Sequence, residues 1–207
     1  MSPAELRRAA AHLRRADPVM ARILRDVGPC RYRVHRAGPP FAYLAAAIVH
    51  QQLAGAAAAT IHRRFCALAG RRHPRAEDVA RLSDAELRGA GLSRQKVGYL
   101  RDLVARVQDG LPLGRLGRLS DEAAIEALSA VKGVGRWTAE MYLMFRLGRP
   151  DVLPVGDLGI RRAMQKAWRR RELPDPDWMR GAGEPWRPYR SVACWYLWQS
   201  LDVRTPG

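Results

Sequence analysis

The chain has 207 residues, 47% of them apolar, with a formal net charge of +16 and a pI of about 11.1. That length and apolar content suit one good-sized domain or two small lobes sharing a core, and they exclude disorder. No apolar run reaches the ~18 residues of a spanning helix, and the Arg-rich N-terminus lacks the apolar stretch of a secretory signal; a soluble, cytoplasmic protein is expected. So basic a chain is expected to meet a polyanion, nucleic acid rather than membrane, because no long basic amphipathic helix with bulky apolar residues stands out. The basic set is almost wholly Arg, with Lys96, Lys132 and Lys166 as the lysines. A GC-rich genome would also produce that bias.

Helical periodicity dominates. Phe41, Leu44, Ala45, Ile48, Val49 and Leu53 share one face of a first helix, which ends at His50-Gln51-Gln52 before the small residues Ala54-Gly55-Ala56. Ser83-Asp84-Ala85-Glu86 is a capping box that opens a short helix. Gly89 and Gly91 punctuate, and Val97, Leu100, Val104 and Val107 form the next apolar stripe. Ser120-Asp121-Glu122 starts a helix through Ile125 and Leu128 to Val131. Further helices are expected over Trp137–Leu147, from near Asp157 through Ile160, Met164 and Trp168, and over about Ser191–Leu201. Pro and Gly clusters mark the joints at 38–40, 110–117, 149–150 and 173–188. No alternating strand pattern or internal repeat is found, so the fold class is all-α.

Cys30, Cys66 and Cys194 are odd in number and far apart. With no CxxC pair or four-cysteine set, neither a structural zinc nor an iron–sulfur cluster is expected, and no catalytic metal. The three read as core thiols.

The most informative stretch is Val131-Lys132-Gly133-Val134-Gly135-Arg136-Trp137-Thr138-Ala139, followed twenty residues after Trp137 by Asp157. Two glycines between helical segments allow backbone conformations and close approach that a Cβ forbids. The amides of such a turn, and of the helix it opens, can point at a phosphate. Taken alone, the glycine pair also fits an ordinary αα-turn, and Asp157 fits a helix N-cap. The combination of hairpin, Thr138-Ala139 and acid resembles the helix-hairpin-helix (HhH-GPD) DNA glycosylases, and within them the 3-methyladenine DNA glycosylase II branch. The resemblance covers roughly residues 40–200.

The resemblance implies two helical lobes flanking a DNA-binding cleft. One lobe would be 40–112 and the other 1–39 with 113–207, the helix-hairpin-helix lying at about 120–147, in a compact version without the N-terminal β domain of larger members. Lys132, Gly133, Val134, Gly135, Arg136 and Thr138 would grip the DNA backbone, although relatives often have Pro where this chain has Lys132. Such a hairpin can also hold a monovalent cation through carbonyls. Gly89–Lys96 resembles a second, degenerate hairpin, which offers Ser93, Arg94 and Lys96 to the backbone; Arg161 and Arg162 are further phosphate candidates. Members that also nick DNA carry a Lys where this chain has Trp137, so no amine is available for a Schiff base and a monofunctional mechanism is implied. Asp157 would stabilise the positive charge that builds on the sugar as the base departs. Asp151 is its nearest rival, and Gly156 stands where some relatives carry a second Asp.

A base in a duplex must be flipped out before it is cut. Trp137 and Trp198 match aromatic pocket positions of the family. Met141 stands where an aromatic is usual, with Tyr142 beside it. Gln52 best matches the wedge that fills the gap, with Gln51 or His50 next to it. The expected activity is therefore hydrolysis of alkylated purines (3-methyladenine, 7-methylguanine and related) from double-stranded DNA in base excision repair, by a monomer without cofactor. The alternatives are a non-catalytic hairpin DNA-binding protein and a glycosylase for oxidised or mismatched bases.

Overall fold

A computed structural model describes residues 1–53 and 55–202; Ala54, within the small-residue run after Gln52, and residues 203–207 lie outside the described residues. Every regular element among the described residues is helical, and no helix there is long and apolar enough to cross a membrane. The chain divides into two compact units, Arg36–Tyr142 and Met1–His35 with the segment from Leu143 onward.

The terminal unit opens with α1 (Pro3–Ala16) and α2 (Pro18–Val27). Ser2 caps α1 in a reciprocal box with Glu5, and Pro3 fills a position whose amide needs no partner. Leu6, Ala9 and Leu13 form the buried stripe of α1. Asp17 caps α2 through Val19 and Met20, and its other oxygen accepts from the indole of Trp186 at 2.9 Å. From Leu143 the unit continues through a π-helical turn (Leu143–Leu147), α10 (Leu158–Ala167), α11 (Pro176–Ala182) and α12 (Arg190–Asp202). α12 packs on both α2 and α10, burying Val192, Ala193, Cys194, Tyr196 and Leu197.

The internal unit holds α3 (Pro40–His50), α4 (Gly55–Leu68), α5 (Ala76–Ala80), α6 (Asp84–Gly89), α7 (Arg94–Gln108), α8 (Asp121–Ser129) and α9 (Arg136–Tyr142). The expected capping box at Ser83–Glu86 is present. Phe41, Leu44, Ala45, Ile48 and Val49 are buried as the periodicity requires, but α3 stops at His50 and Leu53 is exposed beyond it. Residues 113–142, expected with the chain ends, group instead with this unit. The cause is local packing: the Lys132 amide donates to Asp102 on α7 at 2.8 Å, and the Gln51 side chain donates to the Gly133 carbonyl at 2.8 Å. The cysteine expectation also changes, since only Cys194 is buried while Cys30 and Cys66 are half-buried.

Candidate active site

In the terminal unit, Asp157 is the N-cap of α10 and only 7% exposed. Its Oδ1 accepts from the Ile160 amide at 2.7 Å and from the Trp198 indole at 2.9 Å. The cap reading and the catalytic reading of this residue are therefore compatible: capping fixes one oxygen, and the indole fixes the carboxylate's orientation. A negative group is favoured there by the orphan amides of the helix start. Trp198 packs in turn against Phe145, ring centroids 5.9 Å apart, and Phe145 stacks on Tyr32 at 5.3 Å. Trp198, expected as a pocket wall, thus also positions the acid.

Two contributors were missed from sequence. A Cβ at Gly159 would lie 3.0 Å from both Asp157 Oδ1 and Trp198 Cδ1, so the glycine makes room for this hydrogen bond. Its signal was the Asp-Leu-Gly run, which reads equally as an ordinary helix start. Phe145, on the π-helical turn, carried no signal beyond its helical register. The rival acid is accounted for: Asp151 accepts from Arg190 Nε at 2.7 Å and Nη2 at 3.0 Å, and from Arg187 at 2.7 Å. Charge-assisted, two-pronged bonds of this kind hold a carboxylate in a structural role.

In the internal unit, the hairpin lies between α8 and α9. Gly133 has φ +81°, and a Cβ there would sit 2.2–2.5 Å from ring carbons of Tyr99. Gly135 is different: nothing lies within 4 Å of where its Cβ would be. The first glycine is demanded by packing within the protein; the second leaves backbone open to something outside it. Val134 is buried, as is Thr138 in the first turn of α9, whereas Lys132 is exposed with its ammonium 3.8 Å from Asp102. Arg136 forks onto Glu122 at 2.6 and 2.9 Å and reaches the buried Glu140 at 3.2 Å. That guanidinium braces α8 against α9. The Val131 and Gly133 carbonyls accept from the Val134 amide and Gln51. A carbonyl keeps a second lone pair, so this donor set remains compatible with a monovalent cation.

Trp137 is 48% exposed on α9. Met141 is half-buried, and its carbonyl accepts from the Tyr43 hydroxyl at 3.4 Å. Tyr142, expected as a pocket neighbour, is fully buried and packs edge-on to Tyr43 at 5.4 Å. The three wedge candidates separate clearly. His50 holds the Ala46 carbonyl within its own helix, Gln51 reaches the hairpin, and Gln52 stands exposed with φ +55°. In the second glycine turn, Ser93 caps α7 and Arg94 is exposed. Lys96 donates to the Val49 carbonyl at 2.7 Å, and burial lowers its pKa. In the terminal unit Arg161 donates to the Pro174 carbonyl, while Arg162 is exposed.

The chain matches the model of the HhH-GPD superfamily base excision DNA repair proteins over residues 45–188. It belongs to that family. The DNA-3-methyladenine glycosylase 1 of Schizosaccharomyces pombe is 33% identical over 204 residues, 96% of this chain and 89% of that protein. Among solved structures, an S. pombe 3-methyladenine DNA glycosylase in complex with abasic DNA superposes with a TM-score of 0.79 at 34% identity, covering 92% of this chain and 95% of that one. A DNA-3-methyladenine glycosidase from Bacillus halodurans gives the same TM-score at 37% identity, covering 88% and 83%. The two-glycine turn at residues 131–136 and the Asp-capped α10 downstream of it both lie within the matched stretch.

Proposed function

We propose that this HhH-GPD protein is a monofunctional glycosylase that removes alkylated purines from duplex DNA. The observation that carries the reading is Asp157, a buried carboxylate held by the α10 amide of Ile160 and the Trp198 indole beside the exposed Leu158, within the stretch that matches the family. The bond broken is between the sugar C1′ and the purine nitrogen. Its electron pair leaves with the base, neutralising the cation that alkylation put there. Asp157 stabilises the oxocarbenium-like sugar, water adds to C1′, and the water's proton passes to the carboxylate and on to solvent. Trp137 supplies no amine, so the product is free base and an intact abasic strand. Trp198, bonded to Asp157, offers a π face to a cationic purine, worth about 0.5–2 kcal/mol. Gly133 to Thr138 take a phosphate, and Gln52 fills the gap left by the flipped nucleotide. The protein works as a cytoplasmic, nucleoid-associated monomer.

The test is release of free base from methylated duplex DNA, resolved by chromatography. Wild type releases methylpurines; Asp157→Asn binds the same DNA and releases about 10²–10³-fold more slowly. No release by wild type despite salt-sensitive binding would leave a DNA-binding protein, and a borohydride-trapped covalent complex would establish the nicking class instead.

A further inference from the structure

The turn that carries the exposed Gln52 is strained and held from the residues just before it. Gln51 has φ −52° and ψ 135°, and Gln52 has φ +55°. These are the first central residue of a type II turn and the positive φ of the second, a place that glycine or asparagine usually fills. A glutamine there costs about 1 kcal/mol or more and persists only where its surroundings over-determine it. Gln52 is itself exposed, so packing on its own side chain is not the cause. The restraint comes from its neighbours. The Lys96 ammonium holds the Val49 carbonyl, two residues before Gln51. The Gln51 side-chain amide, next to Gln52 itself, donates to the Gly133 carbonyl at 2.8 Å. Gly133 is itself immobilised by the Tyr99 ring and by a left-handed φ.

We infer that Gln51 is a positioning residue: it locks the Gln52 turn to the hairpin, so that one bound phosphate and one inserted side chain keep a fixed register. This rests on the glycosylase reading given above, and it removes Gln51 from the wedge candidates. Its amide acts through Gln52 and touches no substrate. Hairpin and turn are 82 residues apart in sequence, and this bond makes them one device.

The experiment is a double-mutant cycle on the full chain with Gln51→Met, which keeps the length and loses the donor, and Gln52→Ala. Three readouts are taken: binding of undamaged duplex, single-turnover base release from methylated DNA, and the fluorescence of 2-aminopurine opposite a tetrahydrofuran abasic analogue. Gln51→Met is expected to bind undamaged duplex within two-fold of wild type and to melt at the same temperature. Its base release and its 2-aminopurine signal fall about five- to ten-fold, the size of one hydrogen bond. The double variant is no worse than Gln52→Ala alone, because Gln51 acts through that residue. Additive losses, or a Gln51→Met effect exceeding that of Gln52→Ala, would make Gln51 an independent contact and overturn the inference. Parallel loss of melting temperature, duplex affinity and release would reduce it to a fold contact. If wild type releases no base, the glycosylase reading fails while the 2-aminopurine cycle still decides the coupling.

Discussion

The terminal unit contains two aspartates in nearly the same dress. Asp17 and Asp157 are both buried, both N-cap a helix, and both accept from a tryptophan indole at 2.9 Å. They differ in what surrounds them. Asp17 uses one oxygen for the α2 amides and the other for Trp186, which is wholly buried. Asp157 takes the helix amide and the indole on the same Oδ1, beside a half-buried Trp198 and a Leu158 that is 47% exposed. A buried acid with an indole partner is thus no sign of chemistry by itself. An acid beside a wholly buried indole suits a carboxylate that joins two segments; one beside accessible apolar surface suits a carboxylate within reach of something outside the protein.

The contrast can be broken by swapping each acid for its amide. Asp157→Asn keeps an oxygen for both Oδ1 bonds, and base release should fall about 10²–10³-fold while DNA binding is retained. Asp17→Asn must turn an NH₂ toward either the α2 amides or the Trp186 indole, which leaves a buried donor facing a donor. It should lose about 1–3 kcal/mol in chemical denaturation and keep its release rate per folded molecule. Equal loss of activity in the two variants would erase the distinction. Trp198→Phe sharpens it further: the ring against Phe145 survives and the indole donor does not, so release should fall about three- to ten-fold at nearly constant stability. The smallest effect is expected for Gly159→Ala, whose Cβ would press on Asp157 Oδ1 and Trp198 from 3.0 Å. Alanine's better helix propensity, about 1 kcal/mol, offsets that pressure in melting experiments, and kinetics should still show a few-fold loss.

Much of this site was legible in sequence because its signals are local. The hairpin glycines, Trp137 and the spacing to Asp157 follow from residue order, and the capping box at Ser83 was read from four residues. What escaped was set by contacts between distant segments. Arg136 reads in sequence as a phosphate contact, and only the structure shows its ion pairs with Glu122 and Glu140; Lys96 reads as one as well, and only the structure shows its bond to the Val49 carbonyl. Tyr142 lies next to a pocket position in sequence and is turned into the core by helical geometry. α1 and α2 carried cap signals at Ser2-Pro3 and Asp17-Pro18, but their buried stripes were obscured by the arginines around them. The boundary at residue 112 failed because glycines and prolines mark where a chain bends, whereas unit membership depends on what the next helices pack against.

The way Asp157 is held bears on how this family diversifies. An aspartate codon becomes an asparagine codon by one nucleotide change, and here that change leaves both bonds to Oδ1 their acceptor. On the proposed reading, the lineage stands one point mutation from a descendant that keeps the cap and the indole contact and recognises lesions without excising them. Under that reading the demand for the reaction, rather than the cap, favours the acid over its amide at this position.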